Sequence, residues 1–297
     1  MEYFKLNNGN QVPVLCFGPG IMTRGFRYHS GIIGRIRDKI ELRKIEKNYY
    51  DALLSAIEIG YRFIDYSATY GREDLIHKAI KESGIPRSEF VLTTRIPNKA
   101  QFDGNVEDVF KRSLDRLGVD NVDLLMFHWP VPDKYVDTWK QMINFQEKGL
   151  CVNLGVANCH VHHLNSLIKT TGIVPQIDQI ELHPLFSQKE LLSYCKEKRV
   201  RVQAYTSLAR MDERMCRLPK LKNLANKYGK SIPQIVLRWH IQNGVVPIFR
   251  SLNYERLKSN IQLFDFKLSD SDMEYIDSIN INSRLRYNPD NCDFSIL

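Results

Sequence analysis

The sequence predicts a single (β/α)8 barrel with an N-terminal β-hairpin, formed by residues 1–297 as one domain. The length suits one such barrel, because barrels of this kind need about 250 residues. Short apolar runs alternate along the chain with longer amphipathic stretches, which is typical of parallel strands connected by helices. Eight of these runs are present, and most lack strict polar alternation. They therefore indicate strands covered on both faces.

The individual elements follow from local patterns. Asn8-Gly9 lies between two short apolar runs and predicts the turn of the hairpin. Ser231 and Pro233 predict the start of a late helix, and Gly244 its end. The predicted barrel strands are Leu15–Gly18, Tyr61–Tyr66, Phe90–Ile96, Val122–His128, Val152–Ala157, Gln176–Leu182, Val200–Tyr205 and Val245–Ile248. A doubly wound open sheet is the alternative, but no G-x-G-x-x-G motif follows an early strand.

Composition places the chain among ordinary globular proteins, with 43% apolar and 26% charged residues. The six cysteines contain no C-x-x-C pair, which favours reduced intracellular thiols over a disulfide framework or a zinc site. The N-terminus lacks a basic start followed by an apolar run, and no apolar run is long enough to span a bilayer. We therefore expect a cytoplasmic protein that makes no membrane contact.

Positive charge is concentrated after the first predicted barrel strand. Residues 23–48 hold eight Lys/Arg against three acids, in a chain whose formal net charge is +8. We interpret this segment as a basic insertion, either a solvated helix face or a binding surface near the barrel mouth. No aromatic-rich basic motif or DNA-reading element accompanies it, so no nucleic-acid partner is expected.

Two predicted strands end in residues suited to proton transfer. Asp65 closes the second strand, and Tyr70 follows five residues later, just before Gly71. His128 stands directly after the fourth strand. A helix cap and a buried core histidine are the alternatives for these residues taken separately. Because active sites of such barrels lie at the carboxyl ends of the strands, we expect the three side chains to meet there.

At these residues the sequence resembles the aldo-keto reductases, in particular their small prokaryotic members, from Asn8-Gly9 to about Asn280. Five motifs occur in the family's order. They are Gly60-Tyr61-Arg62-Phe63-Ile64-Asp65 with Tyr70-Gly71, Val122–Pro130 ending in Phe127-His128-Trp129-Pro130, Gly155-Val156-Ala157-Asn158, Gln179-Ile180-Glu181-Leu182-His183-Pro184, and Arg250-Ser251 with Arg256 and Asn260.

The resemblance implies reduction of an aldehyde or ketone by hydride transfer from NADPH, with Tyr70 as proton donor. A phenol titrates near pH ~10, so it needs a neighbouring cation. Asp65 would orient that cation, and His128 would donate a hydrogen bond to the carbonyl. The family carries lysine where this chain has Arg95. Arginine keeps the charge but cannot release a proton, and we expect it to pair bidentately with Asp65 and to slow turnover.

The resemblance also implies the NADP(H) site. Asn158 and Gln179 would bind the nicotinamide carboxamide, Tyr205 would stack on the ring, and the pyrophosphate and adenosine would contact a set of residues near two later strands. That set is Ser207, Leu208, Arg250, Ser251, Arg256 and Asn260. Two arginines and a hydroxyl favour a 2′-phosphate, because guanidinium groups match phosphate oxygens.

The remaining expectations concern the pocket and the alternatives. Met22, Trp129 and residues 283–297 are expected to wall the pocket of a small carbonyl substrate, which the basic insertion suggests is acidic or sugar-like. No metal is expected, because His160, His162 and His163 lack a nearby carboxylate or cysteine in a recognisable pattern. The alternative function is a catalytically weakened NADP(H)-binding barrel with a regulatory role. We expect a monomer or a weak homo-oligomer.

Overall fold

Eight parallel strands close into a barrel in the computed structural model, which describes residues 2–19 and 30–295. The last barrel strand pairs with the first, so the sheet has no free edge. The strands, in barrel order along the chain, are β3 (Cys16–Phe17), β4 (Phe63–Asp65), β5 (Val91–Ile96), β6 (Val122–Phe127), β7 (Cys151–Ala157), β8 (Ile177–Glu181), β9 (Arg201–Tyr205) and β10 (Val246–Phe249). Each overlaps one predicted strand, and the predicted fold class is confirmed.

Helices surround this barrel. In the described ranges they are α1 (Gly31–Ile59), α2 (Asp74–Ser83), α3 (Asn98–Asp103), α4 (Val106–Leu117), α5 (Tyr135–Glu147), α6 (Val161–Thr171), α7 (Lys189–Glu197), α8 (Glu213–Cys216), α9 (Pro219–Tyr228), α10 (Ile232–Gln242), α11 (Tyr254–Asn260) and α12 (Asp270–Asp277). The predicted start of α10 is confirmed, because Ser231 caps it in a reciprocal capping box with Gln234. Among the described helices, none is both long and apolar enough to cross a bilayer.

The predicted hairpin is also present, and it covers the amino-terminal end of the barrel. Its strands are β1 (Tyr3–Lys5) and β2 (Gln11–Pro13), paired antiparallel. The side chains of Asn8 and Asn10 donate to Oδ1 of Asn153, near the start of β7, at 2.8 and 2.9 Å. Openings to the barrel interior therefore lie at the other end, where the strands finish.

The barrel interior changes from apolar to polar along its axis. Its amino-terminal part is filled by a buried apolar cluster that includes Cys16, Phe63, Met126 and Val246. Side chains alternate along a strand, so Asp65, two residues after Phe63, faces the same interior. The polar layer at the strand ends is thus built on a packed apolar floor.

The first helix carries most of the basic insertion. Residues 31–48 lie in α1, and the Lys and Arg side chains of this stretch are exposed. This exposure fits both a solvated helix face and a binding surface, so the two interpretations of the insertion stay open. Residues 20–29, which include Met22 and the start of the insertion, lie outside the described residues, so their predicted roles stay predictions.

Candidate active site

A buried polar cluster forms where the strands end, and Arg95 is at its centre. Its Nη2 donates to Oδ1 of Asp65 and to Oε1 of Gln179, each at 2.5 Å. Its Nη1 donates to the backbone carbonyl of Tyr66 at 2.7 Å. The arginine is only 2% exposed. The expected bidentate pairing is therefore wrong, because the two Nη atoms have different partners and only one contacts Asp65.

The cluster explains how a guanidinium can be buried at this depth. Burial alone would lower the pKa of Arg95, and the nearby charges of Asp65 and Tyr70 outweigh it and raise that pKa. An unpaired ion in such a place would be very unfavourable. Arg95 consequently remains a fixed positive charge beside Tyr70.

Tyr70 and His128 meet at the same end of the barrel. Tyr70 ends a short helical turn that follows β4, and His128 follows β6, with its backbone N–H donating to Ile96 at 3.0 Å. The two rings lie edge to face, with centroids 6.2 Å apart. Both side chains are half-buried. The structure thus brings together the four residues predicted for catalysis, namely Asp65, Tyr70, Arg95 and His128.

Asn158 links His128 to Tyr205 beside this cluster. Its Nδ2 donates to the backbone carbonyl of His128 at 3.0 Å, and its Oδ1 accepts from the Tyr205 hydroxyl at 2.6 Å. Asn158 adopts a left-handed backbone, which asparagine tolerates better than most residues. Burial raises the pKa of Tyr205, so its hydroxyl stays a donor. The ring and amide predicted to hold a nicotinamide are therefore adjacent.

Gln179 makes its side-chain contacts within the polar cluster around Arg95. Its Nε2 donates to Asp65 at 3.0 Å and to Oε1 of Gln203 at 2.8 Å, while its Oε1 accepts from Arg95. All of these groups are buried. In this arrangement the side chain completes the arginine cluster, and its polar atoms are used within the protein.

The loop after β9 carries Ser207 and Leu208. The Ser207 hydroxyl is buried and donates to the carbonyl of Ile248 at 2.5 Å, so it faces the fold. Leu208 is half-buried. Four non-glycine residues of this loop have positive φ angles, which is an uncommon density of strained backbone: Thr206, Ala209, Arg210 and Met211.

The predicted phosphate site lies after β10. A cavity of about 480 Å³ is lined by Arg250, Ser251 and Arg256, together with Leu252 and Asn253. Both arginines are exposed, and neither forms an ion pair with a carboxylate of the described chain. The Ser251 hydroxyl accepts from the Asn253 backbone N–H at 3.0 Å.

Asn260, the last residue of α11, is buried. The structure therefore groups Arg250, Ser251 and Arg256 around one cavity, and Asn260 is not among the residues that line it. Two exposed guanidinium groups that pair with no carboxylate of the described residues suit a phosphate monoester, whose oxygens match the guanidinium geometry.

The C-terminal segment, residues 283–295, crosses the rim of the barrel. The backbone N–H groups of Leu285 and Arg286 donate to the carboxylate of Glu181, at 2.6 and 3.0 Å. Further along, Phe294 packs edge to face on Trp129, with ring centroids 6.3 Å apart. The prediction that Trp129 and this segment form a pocket wall is consistent with that contact.

Two residues of the site were missed by the sequence reasoning. Gln203 precedes Tyr205 by two positions in β9, so strand alternation could have placed it on the same inner face. Glu181 accepts from His183 Nε2 at 3.0 Å as well as from the C-terminal segment. Burial would raise the pKa of Glu181, but His183 and the backbone donors outweigh it and lower that pKa.

Together these features define a barrel enzyme whose ionisable groups, a tyrosine and a histidine among them, meet at the carboxyl ends of the strands. Residues 40–281 match the model of the Aldo/keto reductase family. The chain belongs to that family.

Individual relatives agree with this assignment. The chain is 36% identical over 286 residues to a glyoxal reductase of Bacillus subtilis, covering 96% of this chain and 95% of the relative. A crystal structure of an aldo-keto reductase from a deep-sea metagenome, MGS-M4, matches with a TM-score of 0.87 at 31% identity, over 98% and 100% of the two chains. A Bombyx mori aldo-keto reductase in complex with NADP matches with a TM-score of 0.83 at 31% identity, over 97% and 96%.

Proposed function

We propose that this protein reduces a small aldehyde or ketone with NADPH, and that Tyr70 donates the proton. The observation that carries the proposal is the grouping of Tyr70 with His128, Asp65 and Arg95 at one end of the barrel. A protein that only bound the cofactor would not need a proton donor and a second polar group at the mouth of the barrel. The binding-only alternative therefore has less support.

Two groups of residues support NADP(H) as the cofactor. Arg250 and Arg256 offer two exposed guanidinium groups to a 2′-phosphate at their shared cavity. Tyr205 and Asn158 would hold the nicotinamide near Tyr70 and His128. The solved relative from Bombyx mori contains NADP. When bound, NADPH supplies the hydride that reduces the carbonyl carbon.

The protein's own groups would then act on the carbonyl oxygen. His128 would hold that oxygen by a hydrogen bond, and the Tyr70 hydroxyl would transfer its proton to it as the hydride reaches carbon. The product is an alcohol, and Tyr70 is left as a phenolate beside the Arg95 charge. Asp65 fixes the guanidinium through the 2.5 Å contact, so the positive charge remains in place during this step.

A small dicarbonyl is the first substrate class to test. One relative is named a glyoxal reductase, which favours small dicarbonyls such as glyoxal and methylglyoxal. The exposed basic side chains of α1 support a second group of substrates with acidic or sugar-like parts. Aldehydes with and without a phosphate group would separate the two classes.

The test is NADPH oxidation by wild type and by Tyr70→Phe with glyoxal, methylglyoxal and a phosphorylated aldehyde. We expect the variant to lose about 100-fold or more in kcat, since general acid catalysis contributes roughly this much. NADPH binding, followed by fluorescence titration, should be unchanged. Tyr50→Phe is the matched control, because the Tyr50 hydroxyl contacts Glu82 on the outside of the barrel. A Tyr70→Phe variant as active as this control would refute the role of Tyr70.

A further inference from the structure

His160, His162 and Asp290 lie together on the rim of the barrel, outside the cluster around Arg95. One ligand atom from each of the three side chains lies within 4.8 Å of the others. Oδ2 of Asp290 is 2.8 Å from His160 Nδ1, and Oδ1 is 3.5 Å from His162 Nε2. The histidines alone gave no metal pattern in the sequence, because the carboxylate that completes the set comes from a residue 130 positions later.

We infer that His160, His162 and Asp290 form a divalent transition-metal site, with Zn²⁺ as the best-suited ion. Two imidazoles and one carboxylate are a familiar zinc ligand set, with a fourth position left for water. Zinc bonds to these ligands are about 2.0–2.2 Å long, so tetrahedral ligand atoms lie roughly 3.3 Å apart. The ligand atoms lie within 4.8 Å of one another, so a bound ion would require the three side chains to move closer together by rotation.

The ligands come from two separate segments of the chain, which a bound metal would connect. His160 precedes α6 at the end of β7, and Asp290 lies in the C-terminal segment between its contact with Glu181 and its contact with Trp129. A metal bound here would fasten the middle of that segment to the barrel. The segment carries Phe294 against Trp129, so the metal would stabilise one wall of the proposed substrate pocket.

Arg284 occupies the other side of the His160 ring. Its Nη2 lies 3.3 Å from His160 Nε2. A guanidinium can only donate, so Nε2 accepts and the ring hydrogen is on Nδ1, where it faces Asp290. For Nδ1 to bind a metal, that hydrogen must move to Nε2, and the contact with Arg284 is then lost. Arg284 therefore competes with the metal for His160, through both the proton position and the like charge.

The site can be tested by calorimetric titration of chelator-treated full-length protein with ZnCl2. We expect His160→Gln, His162→Gln and Asp290→Asn each to weaken binding by about tenfold or more, as loss of metal-site groups commonly does. Asp293→Asn is the matched control, since Asp293 lies in the same segment and its carboxylate accepts hydrogen bonds from Ser295. Zn²⁺ should also raise the Tm of wild type, and raise it less in the triple variant.

Arg284→Gln should have the opposite effect on Zn²⁺ affinity. Removing the guanidinium should tighten Zn²⁺ binding, because the competing donor and the like charge are gone. An affinity that does not rise would overturn the assignment of His160 Nδ1 as a ligand. Zn²⁺ binding in the triple variant as tight as in wild type would overturn the site itself. These measurements do not depend on reductase activity, so they stand apart from the test of Tyr70.

Discussion

Nη2 of Arg95 lies 2.5 Å from Oδ1 of Asp65, and both side chains are almost completely buried. The same nitrogen contacts Gln179, while Nη1 is used by the Tyr66 carbonyl. The charge that faces Tyr70 is thus held by three acceptors, two at the end of β4 and one in β8. An arginine so held is a rigid cation that cannot exchange a proton with the phenol.

Arg95→Lys should therefore raise the rate of NADPH-dependent reduction. A lysine ammonium could still pair with Asp65, and it can transfer a proton to Tyr70 after the reaction. We expect kcat to rise by about tenfold or more at neutral pH, within the range that proton-transfer groups contribute. The measurement is steady-state NADPH oxidation with the best dicarbonyl substrate. A lysine variant no faster than wild type would show that Arg95 does not limit turnover.

Asp65→Asn should destabilise the fold strongly, because it leaves the Arg95 charge buried without its counter-ion. Breaking a buried pair in this way costs about 3–5 kcal/mol in free energy of unfolding. Asp51→Asn offers a control, since Asp51 pairs with Lys47 on the exposed face of α1 and such pairs contribute about 1 kcal/mol or less. Urea unfolding of both variants gives the comparison. If both variants lost the same free energy of unfolding, the buried ion pair of Asp65 and Arg95 would be no more stabilising than the surface pair.

Asp178 should make stability fall as pH rises. It precedes Gln179 in β8, so its side chain faces away from the barrel interior. Neither oxygen has a hydrogen-bond partner among the described residues. Burial raises its pKa well above the usual value, and the nearby backbone N–H of Cys159 offsets this only in part. The folded state therefore favours the protonated acid.

Because the pKa of Asp178 is raised in the folded state, this group adds to the free energy of unfolding at low pH. The contribution is fully present below about pH 4, the pKa of an unfolded aspartate, and is lost as pH rises through the folded pKa. Asp178→Asn removes this titration. We expect the variant to be more stable than wild type by about 1–3 kcal/mol at pH 8, with little difference near pH 4. Urea unfolding from pH 4 to 9 measures both. A constant difference across that range would contradict the assignment.

Arg250→Gln and Arg256→Gln should weaken NADPH far more than NADH. Each charged hydrogen bond to a phosphate contributes about 1.5–3 kcal/mol, so each change should raise the Kd for NADPH by roughly tenfold or more. NADH lacks the 2′-phosphate, and its Kd should barely move. Arg217→Gln is the control, because Arg217 pairs with Glu213 on the surface. If the variants lost the same affinity for NADPH and NADH, the 2′-phosphate would not bind at these arginines.

The barrel could be predicted from the sequence because its signal is local and repeated. Each strand–helix unit could be predicted from two local features, an apolar run long enough for a strand and an amphipathic stretch after it. Tyr61–Tyr66 was predicted as a strand, although only Phe63–Asp65 is paired, since apolar residues continue beyond the ladder. Pairing depends on neighbouring strands, which a single run does not encode.

The candidate site was predictable in its residues but not in its contacts. Asp65, Tyr70 and His128 were recognisable because each ends or follows a predicted strand, and Arg95 because the resemblance to the aldo-keto reductases places it where that family has lysine. Asp65 was predicted as a partner of Arg95, but Gln179 and the Tyr66 carbonyl were not, since these contacts depend on distances of a few tenths of an ångström. The proximity of Asp290 to His160 could not be predicted, for a different reason. Its position depends on the path of the C-terminal segment over the barrel rim, and no local pattern records that path.

The closing pair of strands has a consequence for how the chain is made. Ile248 pairs with Cys16 and Phe249 with Phe17, so the two strands that seal the barrel come from opposite ends of the sequence. Until the ribosome has released residue 249, one side of β3 has no partner, and the growing sheet keeps an exposed edge. Such edges invite pairing with other chains. A product shortened before β10 would keep this edge unpaired, and we expect it to be prone to aggregation.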